Sequence, residues 1–147
     1  MIDQILPSSG QPTPELVRRM LENCRTIAVV GLSPNPERDS HRVATYLQRQ
    51  GFTIIPVNPK EQTILGQTCY PSLAAIGHPV DLVDVFRASE FAPAVAREAA
   101  DLGAKALWLQ EGVISPQAQE IARQAGLDFV QDSCLMVQHR RHLAPRA

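Results

Sequence analysis

TIAVVGLSPNPERDSHRVATYLQRQGFTIIPVN, residues 26–58, decides the fold. It opens on TIAVV, a short unbroken apolar run that Gly31 ends. A run of this kind marks a strand covered on both faces, as in a parallel sheet. PNPERD (34–39) is a loop by its prolines and charges. From Ser40 to Gln50, Val43, Ala44 and Leu47 recur at helical spacing, and Gly51 closes the helix. FTIIPVN (52–58) is a second apolar run, stopped by Pro59. Strand, helix and strand in this order make a βαβ unit, whose right-handed crossover sets the two strands parallel.

The same alternation continues in both directions. Residues 1–12, with Pro7, Ser8, Ser9, Gly10 and Pro12, read as a flexible lead-in. Thr13 and Pro14 are an N-cap and a first-turn proline, opening a helix that runs to about Cys24. Downstream, TCY (68–70) forms a small strand, followed by a short helix from Pro71 or Ser72. VDLVDVF (80–86) is the third main strand, and 90–102 is an Ala-rich helix ended by Gly103. KALWLQ (105–110) is the fourth main strand. SPQAQEIARQAG (115–126) is a helix with Ser115 as N-cap, Pro116 at its first position and Gly126 at its end. DFVQ (128–131) is the last strand and LMVQHRRHL (135–143) a closing helix. The pattern predicts an α/β fold: a doubly wound parallel sheet of five main strands plus a short one, with helices on both faces. Residues 13–147 form one domain in this reading.

Composition narrows the function classes. Fourteen basic residues face 15 acidic ones for a net charge of −1, so no basic surplus draws the chain to nucleic acid or an anionic membrane. No apolar run approaches the ~20 residues of a membrane span. MIDQILPSSG has neither the basic start nor the apolar stretch of a signal peptide. The cysteines, Cys24, Cys69 and Cys134, are odd in number and form no CxxC pair. Reduced thiols in a cytoplasmic protein are expected.

In a doubly wound sheet, ligands bind outside the carboxyl ends of the strands, at the point where the winding reverses. The residues just after each strand are therefore the candidates. Gly31-Leu32-Ser33 follows the first strand: the glycine permits a sharp turn and close approach to a phosphate, and the serine adds a hydroxyl. Arg38 and Arg42 lie near, while Pro34 and Pro36 remove two backbone donors. A plain strand-to-helix turn is the alternative. Asn58-Pro59-Lys60 follows the second strand, where a NAD-binding domain carries Asp or Glu for the ribose. Lys60 suits a phosphate on the ribose instead, the alternative being a solvated surface lysine. Phe86-Arg87 follows the third strand, a ring and a cation suited to adenine or pantetheine beside a phosphate; core packing and a helix-flanking charge are the plainer reading. Gln110-Glu111-Gly112 follows the fourth. There Gly112 permits backbone approach, Gln110 can read an amide or adenine edge, and Glu111 is a general base or a solvated carboxylate. Asp84, inside an apolar strand, needs a partner, for which Ser33, Arg42 and Arg87 are candidates.

Other chemistry-bearing residues have plainer readings. His139 and His142 share a helix face with Arg140 and Arg141, a basic last turn that suits the helix dipole better than a metal site. Cys134 reads as packing, with a reactive thiol or a mixed disulfide as the alternative. Trp108 reads as core. His41 opens a helix beside Arg42, near enough to touch a phosphate. No nucleophile–base arrangement and no metal site are assigned.

These stretches together resemble the small CoA-binding proteins related to the N-terminal domain of the succinyl-CoA synthetase α subunit. The resemblance runs through TIAVVGLSPNPERDSHRVATYL, GFTIIPVNPKEQTILGQTCYPSL, VDLVDVFR, AKALWLQEGV and GLDFVQDSCLMVQHRR, over about 26–141 in the family's order. It implies a Rossmann-like CoA-binding fold, the CoA diphosphate near Gly31, Leu32 and Ser33, and Lys60 at the nucleotide end, where it aligns with a CoA-contacting lysine. It also implies that Phe86, Arg87 and the Gln110–Gly112 turn flank the ligand. Two departures stand out. Gln138 replaces a Glu usual in the small family members, and the loop SPNPERD has less glycine than the synthetase's. The synthetase's phosphohistidine lies in a domain outside the resemblance, so its reaction is not implied.

Three functions compete. The first is a binding protein for CoA or acyl-CoA without catalysis of its own, holding the nucleotide at the carboxyl ends of the strands. The second is an NADP-dependent oxidoreductase, which lacks here both a GxGxxG motif and a substrate domain. The third is a split subunit of an acyl-CoA synthetase that works with a partner enzyme subunit. A homodimer is compatible with each.

Overall fold

The computed structural model describes residues 10–143. Of the expected lead-in, residues 1–9 lie outside the described residues. Gly10 is buried, and its carbonyl accepts a hydrogen bond from the Gln131 N–H.

Helix α1 (Pro14–Leu21) starts as the sequence dictates, with the Thr13 hydroxyl accepting from the Leu16 N–H. Strand β1 (Thr26–Val30), helix α2 (Asp39–Arg49) and strand β2 (Thr53–Val57) form the βαβ unit. Strands β3 (Thr63–Ile64) and β4 (Gln67–Thr68) follow as a small antiparallel hairpin. Strand β5 (Leu82–Val85), helix α3 (Ala92–Leu102) and strand β6 (Ala106–Leu109) continue the alternation. Helix α4 (Pro116–Ala125), strand β7 (Asp128–Val130) and helix α5 (Leu135–His142) complete it.

The main sheet has five parallel strands in the order β2-β1-β5-β6-β7. The expected short strand at 68–70 is divided. Gln67 and Thr68 belong to the hairpin, whose turn holds Leu65 and Gly66 at φ 56° and 74°, while Tyr70 bridges Val57 at the sheet edge. Pro56, which has no amide proton, sits where a proline is tolerated, in an edge strand. The short helix expected from Pro71 or Ser72 is a single 3₁₀ turn, Ala74–Ile76.

Because side chains alternate along a strand, each strand feeds two cores. On one face, Ala28, Val83 and Leu107 pack under α3 and α4, which contribute Val95, Ala96, Ala99, Ala118 and Ala122. On the other, Ile27, Val29, Leu82 and Trp108 pack under α1, α2 and α5, which contribute Val17, Leu21, Val43, Leu47 and Leu135. Helices cover both faces, so the sheet is doubly wound. The chain leaves β1 for β2 on one side and returns across it to β5 on the other. The winding therefore reverses between β1 and β5, and the crevice belongs above their carboxyl ends.

At the opposite, amino end, Asp81 ties β1 to β5. Its Oδ2 accepts from the Arg25 and Thr26 N–H groups at 2.7 and 3.1 Å, and its own N–H donates to Thr26 Oγ1. Burial raises this carboxyl, but those two amides and nearby Lys105 outweigh it and hold it below the usual carboxylate range.

Candidate functional site

Gly31 ends β1 at φ 86°, a left-handed conformation that favours glycine. Its N–H donates to Val57 O at 3.0 Å, and a Cβ placed on it would lie 2.7 Å from the Phe86 carbonyl oxygen. The backbones after β1 and β5 thus meet at the switch point with no room for a side chain between them. The Phe86 N–H in turn donates to Val30 O.

Three clefts open around this contact and share its residues. One, of about 370 Å³, lies between Gly31, Asn58-Pro59-Lys60, Arg87 and helix α3. A second, of about 380 Å³, lies between Arg42, Phe86, Arg87 and the Gln110–Gly112 turn. A third, over the Ser33–Ser40 loop, joins them through Gly31 and Phe86. The three clefts adjoin one another as a grooved surface along the carboxyl ends of the sheet, each of the size that small-ligand sites occupy.

The groove gathers all but one of the expected residues. Leu32 is the exception: its side chain is fully buried in the core under α2, and only its carbonyl contributes, accepting from Asn58 Nδ2 at 2.9 Å. Asn58 also accepts from the Lys60 N–H through Oδ1, which sets the start of the Pro59-Lys60 turn. Lys60 is exposed and makes no ion pair among the described residues. Ser33 is bound into its loop: its N–H donates to Ser40 Oγ, its Oγ accepts from the Asn35 N–H, and its carbonyl lies 3.1 Å from His41 Nδ1. Arg42 does not reach Asp84. It pairs with Asp39 and donates to Glu37 O at 2.6 Å. Arg87 stacks over Phe91 with its guanidinium carbon 4.0 Å from the ring centroid, a cation–π contact at the groove wall.

The fourth strand end is fixed from below. The Gly112 N–H donates to Asp132 Oδ1 at 2.8 Å, and Asp132 is held at φ 56°. Glu111 and Gly112 stay exposed on this turn, whereas Gln110 is only 3% exposed. Its Nε2 donates to Asp84 Oδ1 at 2.7 Å. The partner of Asp84 is therefore Gln110, not Ser33, Arg42 or Arg87. Asp84 is fully buried, and its Oδ2 has no hydrogen-bond partner among the described residues. Burial pushes this carboxyl up to about 7, and the Gln110 hydrogen bond pulls against the rise.

The sequence reading missed several groove residues. Phe91, Val95 and Glu98, spaced along one side of α3 and the turn before it, line the cleft beside Lys60. Their spacing is helical, but nothing in it says that this helix end overhangs the switch point. Met136 lines the second cleft together with Cys134, which is partly buried. Trp108 is core, and its Nε1 donates to Ser133 O. His139 is not a surface member of a basic turn. It is 1% exposed, with Nδ1 2.8 Å from the Tyr46 hydroxyl and edge-on contacts to the Tyr46 and Phe52 rings. No helix among the described residues is long and apolar enough to cross a membrane.

Comparison with known proteins agrees with this architecture. Residues 25–140 match the family model of the CoA binding domain. The chain is 38% identical over 128 residues to the uncharacterized protein YneT of Bacillus subtilis (strain 168), covering 87% of this chain and 95% of that protein. A hypothetical protein from Pyrococcus horikoshii OT3 superposes with a TM-score of 0.88 at 36% identity, over 94% of this chain and 97% of that one. A more distant relative is the ADP-forming acetate–CoA ligase I of Archaeoglobus fulgidus, 26% identical over 121 residues. The match takes 76% of this chain but only 18% of the ligase. With most of its length matched by the family model and a crevice at the switch point of its sheet, the chain belongs to the CoA-binding domain family.

Proposed function

We propose that the chain is a CoA or acyl-CoA binding protein without catalytic activity of its own, and that 13–147 is the binding unit. The observation that carries this reading is the groove centred on Gly31, Phe86 and Arg87, with an exposed lysine at one end, in no ion pair among the described residues, and a backbone turn at the other. CoA is long and carries phosphates near its nucleotide end. Lys60 and Arg87 supply cations beside the first cleft, and the Ser33 hydroxyl, whose oxygen accepts from the Asn35 N–H, can donate its proton to a diphosphate oxygen. The second cleft combines the apolar Phe86, Val113 and Met136 with the polar Gln110, so it can take the amide-bearing pantetheine arm, with Arg42 and Arg87 at its charged side. Glu111 is exposed on a turn, as a solvated carboxylate is, which favours a holding role over acid–base chemistry.

Calorimetric titration with CoA, acetyl-CoA, NADPH and ATP tests the reading. Selective binding of the CoA forms is the expected result, and equal or tighter binding of NADPH overturns it. A second reading, a CoA-carrying piece that serves a partner subunit, draws on the match to a fraction of a ligase. Co-purification with a chain carrying the remaining ligase domains tests it.

A further inference from the structure

Asp84 occupies the central strand of the sheet, level with Val29 of β1 and Trp108 of β6. Among the described residues no cation pairs with it. The helices on its face contribute Val43, Ala44, Leu47 and Leu135 to the surrounding core, and none of these titrates. Tyr46 and His139 on the same helices are engaged with each other. The titratable groups nearest its partner Gln110 are those of the groove wall: Asp39, Arg42, Arg87, Glu111 and Cys134. A buried carboxyl held by one neutral amide is an expensive arrangement unless the pair serves a purpose.

The chemistry of the pair is asymmetric. A carboxylate at Asp84 accepts from Gln110 Nε2, as observed, and this leaves the Gln110 carbonyl oxygen as the group available to the groove. A protonated Asp84 must donate, and Gln110 Oε1 is the acceptor within reach. Rotating the terminal amide by a half-turn brings Oε1 to Asp84 and turns the NH₂ outward, with no change in shape. We infer that Asp84 and Gln110 act as a proton-controlled selector at the groove wall, presenting a hydrogen-bond acceptor to the ligand when Asp84 is ionised and a donor when it is protonated. The inference rests on the CoA reading for its ligand, an amide N–H of the pantetheine arm being the donor that meets Gln110 Oε1. Asp84 is a positioning residue in this scheme, acting through Gln110. One proton leaves Asp84 to solvent as the donor-bearing ligand binds.

Two measurements test it. In the free protein, carbon NMR of the Asp84 carboxyl and nitrogen NMR of the Gln110 side-chain amide are followed from pH 5.5 to 8.5. Both signals are expected to move together with one midpoint, and in Gln110→Met the Asp84 midpoint rises. An Asp84 that does not titrate in this range, or titrates without moving the Gln110 amide, overturns the selector. In the second arm, CoA affinity is measured at pH 6 and pH 8 in the wild type and in Asp84→Asn, which cannot titrate. The wild type is expected to gain about threefold to tenfold relative to Asp84→Asn on going to pH 8, the worth of one hydrogen bond. Parallel pH profiles overturn the inference while leaving the CoA reading intact. Loss of CoA binding in every protein, with the two NMR signals still moving together, overturns the CoA reading and supports the selector.

Discussion

The Gly31 α-carbon faces the Phe86 carbonyl so closely that an added methyl would sit 2.7 Å from that oxygen. The contact joins the ends of the two strands between which the winding reverses. Gly31→Ala is expected to lower stability by about 1–3 kcal/mol, from left-handed strain and the forced shift of Phe86. Because Arg87 is next in the chain, CoA affinity is expected to fall too. Thermal unfolding and calorimetry on the same preparation check this, and a variant with wild-type values in both would remove the close contact from the argument.

Lys60 and Arg87 differ from Arg42 in what already occupies them. Lys60 has no ion pair among the described residues and Arg87 rests on an aromatic face, whereas Arg42 is paired with Asp39 and bound to Glu37 O. Lys60→Ala and Arg87→Ala are each expected to weaken CoA binding about tenfold or more, since a charged hydrogen bond is worth roughly 1.5–3 kcal/mol. Arg42→Ala should cost less. Titrations of the three variants at low and high salt decide the order, and an Arg42 effect as large as that of Lys60 contradicts it.

Stability should depend on pH through Asp84 with a sign unusual for an aspartate. Its carboxyl rises from an ordinary 3.8 to about 7 in the fold, so the folded state holds the proton more tightly than the unfolded chain. The stabilisation is complete below pH 3.8 and is lost as the pH climbs through about 7. At about 1.36 kcal/mol per unit, the loss is on the order of 4 kcal/mol. Asp84→Asn removes the dependence. Denaturant unfolding of both proteins from pH 4 to 8 is expected to show the wild type losing ground to the variant as pH rises; a constant difference would refute it.

Asp81 has the opposite sign. Burial works against its charge, but the Arg25 and Thr26 amides hold it below the usual range. Its contribution is therefore present above the ordinary carboxylate value and disappears as the pH falls through its folded value. Asp81→Ala strands the two N–H groups and is expected to cost about 1–3 kcal/mol at pH 7. The gap to wild type should narrow in acid, read from unfolding midpoints at pH 3 and pH 7.

The fold was legible because its strands are covered on both faces. TIAVV, VDLVDVF and KALWLQ are unbroken apolar runs, and Ser115-Pro116 and Gly126 mark a helix start and stop in the sequence itself. The strand ends then led to Gly31, Lys60 and Arg87. The hairpin at 63–68 was hidden because its turn places a leucine at positive φ, which local preferences disfavour. The Asp84–Gln110 bond was hidden for a different reason. It spans 26 residues and depends on the register of β5 against β6, which no local pattern records. Phe91 and Glu98 escaped because an amphipathic helix declares its buried face but not which of its ends overhangs a crevice.

Trp108 is the only tryptophan in the chain. It is sealed from water, level with Asp84 across one strand pairing, and its indole N–H is bound to the segment that leads into Cys134. The molecule thus carries one indole fluorophore beside its buried acid. Its emission is expected to respond to that acid's charge, which a pH titration of the fluorescence would read without any label.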